Sequence, residues 1–193
     1  MEKRVIQNKL RRLRDGVEPR VLDLFAGCGG ISLGLQLAGA KIAGGVEIDP
    51  VAARSHALNF HSDTDPEVFE IHARLRDITI TDPVILIREF CPERKPQDAV
   101  DILVGGPPCQ AFARVGRAKL REIMQHPEAF LNDSRAELYH HYINYVEALA
   151  PVAVIIENVP DVLNYGGLNI FGCSLGFTVA VVKRAPNLYS TTV

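Results

Sequence analysis

The sequence predicts a doubly wound α/β domain built on a mostly parallel sheet. Three observations lead there. Runs that are apolar on both faces, "RVLDLF", "VDILVGG" and "VAVIIENV", recur along the chain, and such strands belong in sheets covered on both sides. Stretches of helical spacing separate them, giving a strand–helix alternation. The first run ends in a glycine-rich turn, "DLFAGCGG", where folds of this class bind ligands.

The elements follow in order. Residues 3 to 14 carry six Lys and Arg, with Val5, Ile6, Leu10 and Leu13 spaced roughly as one helical face. This segment is either a packing helix with a solvated basic face or a phosphate-binding arm. From Arg20, "RVLDLFAG" is the first strand. "ISLGLQLAG" is a helix with Ile31, Leu35 and Ala38 on one side and a glycine stop at Gly39. "KIAGGVEI" is a second strand and "DPVAARSHALNF" a second helix. There Asp49 is the expected N-cap, and Pro50 takes the first helical position, where its missing N–H costs nothing. Residues 69–80 are ambiguous and leave room for a third strand near Asp77. "PVILIREF" is a short helix and "VDILVGG" a strong strand. Residues 107–133 form a long loop. "SRAELYHHYINYVEALA" is a helix with Leu138, Tyr142, Tyr145 and Leu149 on one face; "VAVIIENV" and "GFTVAVVK" are further strands. The chain thus divides into a basic helical segment, residues 1–19, and an α/β domain, residues 20–193.

Composition narrows the function classes. With 47% hydrophobic and 23% charged residues in 193, the chain reads as an ordinary globular protein. No apolar stretch approaches the roughly 20 residues of a membrane span, and the basic N-terminus lacks the apolar core of a secretory signal. Cys28, Cys91, Cys109 and Cys173 are scattered, without CxxC pairs. That pattern argues against a zinc site or disulfide scaffold and for reduced thiols in a cytoplasmic protein. His56 with His61, and the pair His140–His141, lack acidic or cysteine company at ligand spacing and read as core or helix-surface residues. A net charge of −2 does not advertise nucleic acid, so any such contact must come from local basic clusters or a partner.

The first turn reads as a cofactor cradle. Gly27, Gly29 and Gly30 let the backbone approach a ligand, and the helix that follows offers free N–H groups. Ser32 occupies the position where a dinucleotide fingerprint requires glycine, so the ligand need not carry a pyrophosphate. Glu47 lies 20 residues after Gly27, where a carboxylate accepts from both hydroxyls of a ribose. Ile48 is placed to lie against an adenine. Asp77 is either a turn cap or an acceptor for the adenine amino group. Together these features point to an adenosine-containing cofactor.

In chain order, "DLFAGCGGISLGLQLAG", "EIDP", "GGPPCQAF", "DSRAELYHHYINYV" and "ENVPDVL" resemble the early motifs of the cytosine-5 DNA methyltransferases over roughly residues 20–170. The resemblance implies a Rossmann-like methyltransferase fold and S-adenosylmethionine as cofactor, with S-adenosylhomocysteine as product. It implies a cofactor site formed in the first turn by Asp23, Phe25, Ala26, Gly27, Cys28, Gly29 and Gly30. Glu47, Ile48, Asp77, Ile78 and Pro107 would complete it. The partner would be double-stranded DNA with a flipped cytosine, in an activity associated with restriction–modification.

The chemistry explains the residue types. Taken singly, Cys109 is either a buried core thiol or a nucleophile, and Glu157 a structural carboxylate or an acid. With the motifs in order, Cys109 is expected to add to carbon 6 of cytosine, making carbon 5 nucleophilic toward a methyl donor. Pro107 and Pro108 fix the chain direction, Glu157 shares a proton at ring nitrogen 3, and Asn158 holds the backbone near Pro108. A base inside a duplex must be extruded for this. The segment after Cys109 then serves as a mobile catalytic loop, with Gln110, Arg114, Arg117, Lys119 and Arg121 contacting nucleic acid; the alternative is a solvated basic loop. Ala113 follows Phe112 where the family often has a serine that touches phosphate. After "DVLNYGGLNI" the sequence lacks the Gln-x-Arg-x-Arg element and the target-recognition region of the family. The expectation is an incomplete catalytic domain that needs either a missing C-terminal part or a second subunit carrying the recognition region. A transfer-RNA cytosine-5 methyltransferase and an inactive cofactor-binding fragment are the other readings.

Overall fold

A computed structural model describes residues 2–108, 134–158 and 178–183 of the chain. These residues form α1 (Glu2–Arg14), β1 (Arg20–Leu24), α2 (Gly30–Leu37), β2 (Lys41–Val46), α3 (Pro50–Phe60) and α4 (Pro66–Ala73). After them come α5 (Pro83–Phe90), α6 (Pro96–Ala99), β3 (Ile102–Gly105), α7 (Ser134–Leu149), β4 (Ala153–Asn158) and β5 (Thr178–Lys183). The strands make one sheet in the order β2-β1-β3-β4-β5, and neighbouring strands run parallel. The chain leaves β1 toward β2 on one side and returns to β3 on the other. That reversal opens a crevice above the C-terminal ends of β1 and β3. The fold is the doubly wound one expected.

Side chains alternate across the strands. Leu22, Leu24, Leu103, Val154 and Ile156 face Leu86 and Phe90 of α5 and Tyr142, Tyr145 and Leu149 of α7. Val21, Ile42 and Val104 pack on the other side against Ile31 and Leu35 of α2 and Phe60 of α3. The predicted apolar face of α7 is the one buried.

One segment departs from the expectation. No strand forms among residues 69–80; α4 ends at Ala73 and a turn follows. The signal is an Asp-Pro pair, which begins three helices in a row. Asp49, Asp65 and Asp82 each cap the N–H groups of the first turn, with proline at the helix start, a combination that fixes a helix N-terminus strongly. Beyond α4, the Arg76 N–H donates to the Glu47 carbonyl at 2.7 Å, so this stretch lies beside the end of β2 without joining the sheet.

The N-terminal helix packs with Lys3, Arg4, Arg11 and Arg14 exposed, as one of the two expectations had it, but not every basic residue is solvated. Leu10 is 38% exposed, whereas Lys9 is 2% exposed. The Lys9 ammonium donates to the carbonyls of Val100 (2.6 Å), Leu149 (2.9 Å) and Ala150 (2.8 Å). Three donors meet three acceptors, two of them at the end of α7, where the helix dipole is negative. Burial drags the Lys9 pKa down to about 8, against the pull of Asp101 and Asp98. Arg12 pairs with buried Asp101, which also accepts from the Arg20 backbone N–H at 2.8 Å and Nε at 3.2 Å. Part of the basic face is therefore turned inward, fastening α1 to the end of the sheet opposite the crevice.

Candidate cofactor and active site

The turn after β1 is held in a conformation few side chains tolerate. Phe25, Gly27 and Gly29 have φ of 62°, 54° and 95°, in the left-handed region. A Cβ on Gly29 would run into the Phe60 ring and stand 3.1 Å from the His56 ring. Three bonds anchor the turn: Ala26 N–H to the Val46 carbonyl (3.1 Å), Gly27 N–H to Glu47 Oε2 (2.9 Å), and Asn59 Nδ2 to the Cys28 carbonyl (2.9 Å). Gly29 caps α2 without a side chain, leaving the first N–H groups of that helix for another acceptor.

Glu47 also accepts from the Asp49 N–H through Oε1, at 2.8 Å. Each of its oxygens thus carries one backbone bond and retains capacity for another. Beside it lies a cavity of about 130 Å³. Phe25, Glu47, Ile48, Asp77 and Ile78 line it together with Val46, Arg76, Pro108 and Leu138. Residues nominated from three separate stretches of sequence meet there. Ile48 is 61% exposed, presenting an apolar surface. Asp77 caps its own turn, accepting from Thr79 N–H at 2.9 Å and Thr79 Oγ1 at 2.8 Å. The backbone bond from Thr79, followed by the hydroxyl, holds its carboxyl below the usual range. Asp77 is a turn cap and also borders the cavity.

Below the turn, Asp23 is 1% exposed. Its Oδ2 accepts from Ser32 Oγ at 2.6 Å, and its Oδ1 is buried with no hydrogen-bond partner. Burial pushes its pKa up to about 7. Across the crevice, Glu157 near the end of β4 lies over Gly106: a Cβ on that glycine would stand 3.2 Å from Glu157 Oε2. Pro107 is buried next to it and Pro108 is exposed. Cys28 is exposed and unpaired. Asn158 closes β4. Cys109, Gln110, Arg114, Arg117, Lys119 and Arg121 lie outside the described residues.

Apolar walls, a carboxylate able to take two hydroxyls, free helix amides and a buried acid suit a nucleoside bearing a charged chain. A further carboxylate, Glu157, stands on the far side of β1 and β3 at the end of β4, beside the Gly-Pro-Pro segment. A family model for C-5 cytosine-specific DNA methylases matches residues 19–171. The chain belongs to that family. Among its relatives, an Oceanobacillus iheyensis protein named as a type II methyltransferase, M.OihORF3336P, is 37% identical over 152 residues, 79% of this chain and 31% of the relative. The type II methyltransferase M.XorII of Xanthomonas oryzae pv. oryzae is 34% identical over 73% of this chain and 28% of its own length. Among solved structures, a chain from Escherichia coli titled as a DNA modification methyltransferase encoded within a prophage superposes with a TM-score of 0.53 at 30% identity. That match covers 79% of this chain and 35% of the other. The chain spans about 30% of the length of the first curated relatives it matches.

Several contributors to the candidate site carry little or no signal in the sequence. Asn59, which ties the turn from α3, gives no signal of its own. The bond from Ser32 to Asp23 was legible only as a polar residue in a glycine position. His56 and His61 are core residues, as expected, but His72 joins them: the His61 and His72 rings stack at 3.6 Å and His72 stacks on Phe90 at 4.5 Å. Among the described residues no cluster of His, Cys, Asp and Glu is arranged to hold a metal ion. No described helix is long and apolar enough to cross a membrane.

Proposed function

We propose that this chain is the cofactor-binding and catalytic portion of a DNA cytosine-5 methyltransferase of the restriction–modification type. The observation that carries this reading is the meeting of Phe25, Glu47, Ile48, Asp77 and Ile78 around one cavity, under a turn whose amide is fastened to Glu47. S-adenosylmethionine, when bound, supplies the methyl group. Glu47 accepts the ribose hydroxyls with the lone pairs its backbone bonds leave over, Ile48 and Phe25 flank the adenine, and the first amides of α2 take the amino-acid end. The partnerless Oδ1 of Asp23 beneath the turn favours a ligand carrying positive charge.

The reaction at the base falls to Cys109 and Glu157. The Cys109 thiolate adds to carbon 6 of an extruded cytosine while Glu157 shares a proton with ring nitrogen 3. Carbon 5, made nucleophilic by that addition, would accept the methyl group that S-adenosylmethionine supplies, with S-adenosylhomocysteine as the leaving group, and loss of the carbon 5 proton with expulsion of the Cys109 sulfur would restore the ring. Residues 20–193 make up this portion, with residues 1–19 as an N-terminal segment. On this reading base recognition falls to polypeptide beyond the aligned part, and the greater length of the relatives supports it.

The decisive experiment incubates the protein, alone and with any neighbouring polypeptide homologous to the remainder of the relatives, with S-adenosylmethionine and duplex DNA carrying 5-fluorocytosine. A covalent adduct that disappears in Cys109→Ser is expected. An adduct on transfer RNA in place of DNA would reassign the substrate, and an adduct surviving Cys109→Ser would remove the nucleophile.

A further inference from the structure

The positive charge of the chain is concentrated in one helix. Residues 3–14 hold six of the 21 Lys and Arg and no Asp or Glu, while the other 15 stand against 23 acidic residues, an excess of eight negative charges. Two of the six serve the fold, Lys9 through its three carbonyls and Arg12 through Asp101. The other four, Lys3, Arg4, Arg11 and Arg14, are exposed. Among the described residues none of these four takes part in an ion pair or a side-chain hydrogen bond.

Helix geometry lines the four up. At 3.6 residues per turn they fall within an arc of about 100°, with Lys9 on the opposite side, and from Lys3 to Arg14 they extend over about 16 Å. Gln7 and Asn8, also exposed, add uncharged donors of the kind phosphate oxygens accept from. The stripe cannot roll under, because Lys9 and Arg12 fix the rotation of α1 from beneath. No acid interrupts it; Asp15 and Glu18 come only past the last turn. Val5, Ile6 and Leu13 are half-buried on the other sides, and Leu10, 38% exposed, sits at the margin. This face is cationic and polar, without the apolar ridge that a lipid surface takes up.

We propose that the exposed stripe of α1 is a second nucleic-acid contact, which holds the phosphate backbone of duplex DNA at the end of the sheet opposite the crevice without reading its sequence. The choice of DNA rests on the function proposed above. Duplex DNA carries one negative charge per about 1.7 Å of axis, so a stripe of this length meets more phosphates than it has cations. Three of the four are arginines, whose planar fork matches a phosphate. Each pairing releases condensed counterions, so a local cluster binds even though the chain as a whole is acidic. Lying away from the crevice, the stripe adds affinity for DNA of any sequence and leaves the chemistry at the base untouched.

Fluorescence anisotropy with a duplex of A·T pairs alone, which offers the crevice no cytosine, tests this between about 50 and about 200 mM salt. The variant combines Lys3→Gln, Arg4→Gln, Arg11→Gln and Arg14→Gln; glutamine is a good helix former, and the urea midpoint and S-adenosylhomocysteine affinity should stay as they were. The slope of log affinity against log salt should shrink by about 0.9 for each contact removed, roughly 3.6 for all four. The unaltered chain then loses up to about 100-fold more affinity across that salt range than the variant. Arg4→Lys, Arg11→Lys and Arg14→Lys together keep the charges and should keep the slope. Duplex binding with an unchanged slope in the glutamine variant would overturn the stripe and leave the methylation reading in place. A loss confined to transfer RNA would overturn the choice of DNA. Failure of the unaltered chain to bind the duplex at about 50 mM salt would overturn the stripe as well, while adduct formation on 5-fluorocytosine DNA reports on the methylation reading separately.

Discussion

Glu47 Oε2 takes the N–H of Gly27 at 2.9 Å, a bond between the end of β2 and the turn after β1. It sets the shape of the cradle before any ligand arrives, so one carboxylate builds the turn and, on the proposed function, also takes the ribose. Glu47→Ala removes a charged acceptor from the loop and from a ribose together. Each such bond contributes about 1.5–3 kcal/mol, so S-adenosylhomocysteine should bind roughly 10–100-fold more weakly. Calorimetry measures this, and unchanged affinity would remove Glu47 from the site.

Gly29→Ala combines a left-handed backbone at φ 95° with a Cβ driven into the Phe60 ring. A loss of about 1–3 kcal/mol is expected from the backbone alone, seen as a lower midpoint in urea.

Gly106→Ala separates chemistry from stability. The added methyl would stand 3.2 Å from Glu157 Oε2, tight enough to turn the carboxylate aside. Stability should change by less than about 1 kcal/mol. Adduct formation on 5-fluorocytosine DNA should slow by about tenfold or more, because a small misplacement of a reacting group is costly. An unchanged rate would take Glu157 out of the reaction.

Lys9→Met strips the shared donor from the carbonyls of Val100, Leu149 and Ala150. A destabilisation of about 2–4 kcal/mol is expected, with faster hydrogen exchange in α1. Stability unchanged within error would show that this docking is dispensable.

Burial lowers the pKa of His56 and His61 to about 4 and of His72 to about 3. Unfolding frees all three to take up protons near pH 6.5. Their neutral burial therefore costs nothing above that pH and increasingly opposes folding as pH falls from about 6.5 toward 4. Asp23 acts in the opposite sense, its raised pKa favouring the folded state on the acid side of about 7. The histidines outnumber it, so melting temperature should drop below pH 6.5. The slope should be shallower in His72→Phe, which keeps the stack on Phe90.

Much of this was readable in advance because local rules and the fold agreed. Two-sided apolar runs located β1, β3 and β4, and Asp49 with Pro50 marked the start of α3. The same pair at Asp65–Pro66 starts α4, and a capped turn forms near Asp77 where the apolar pattern leaves room for a strand. The cradle was legible because glycines and Glu47 occur at a spacing dictated by one strand–helix–strand unit. Lys9 was not, because its partners are residues 100, 149 and 150, far away in sequence. Nor was the bond from Ser32 to Asp23, which depends on how α2 lies against β1.

The parallel sheet sends every strand toward the crevice, while the ion pairs of Arg12 and Arg20 with Asp101 and the Lys9 anchor gather at its opposite end. Much of the anchoring thus sits away from the candidate site. A mutant library confined to the anchored end would vary shelf life while leaving the shape of the cradle alone.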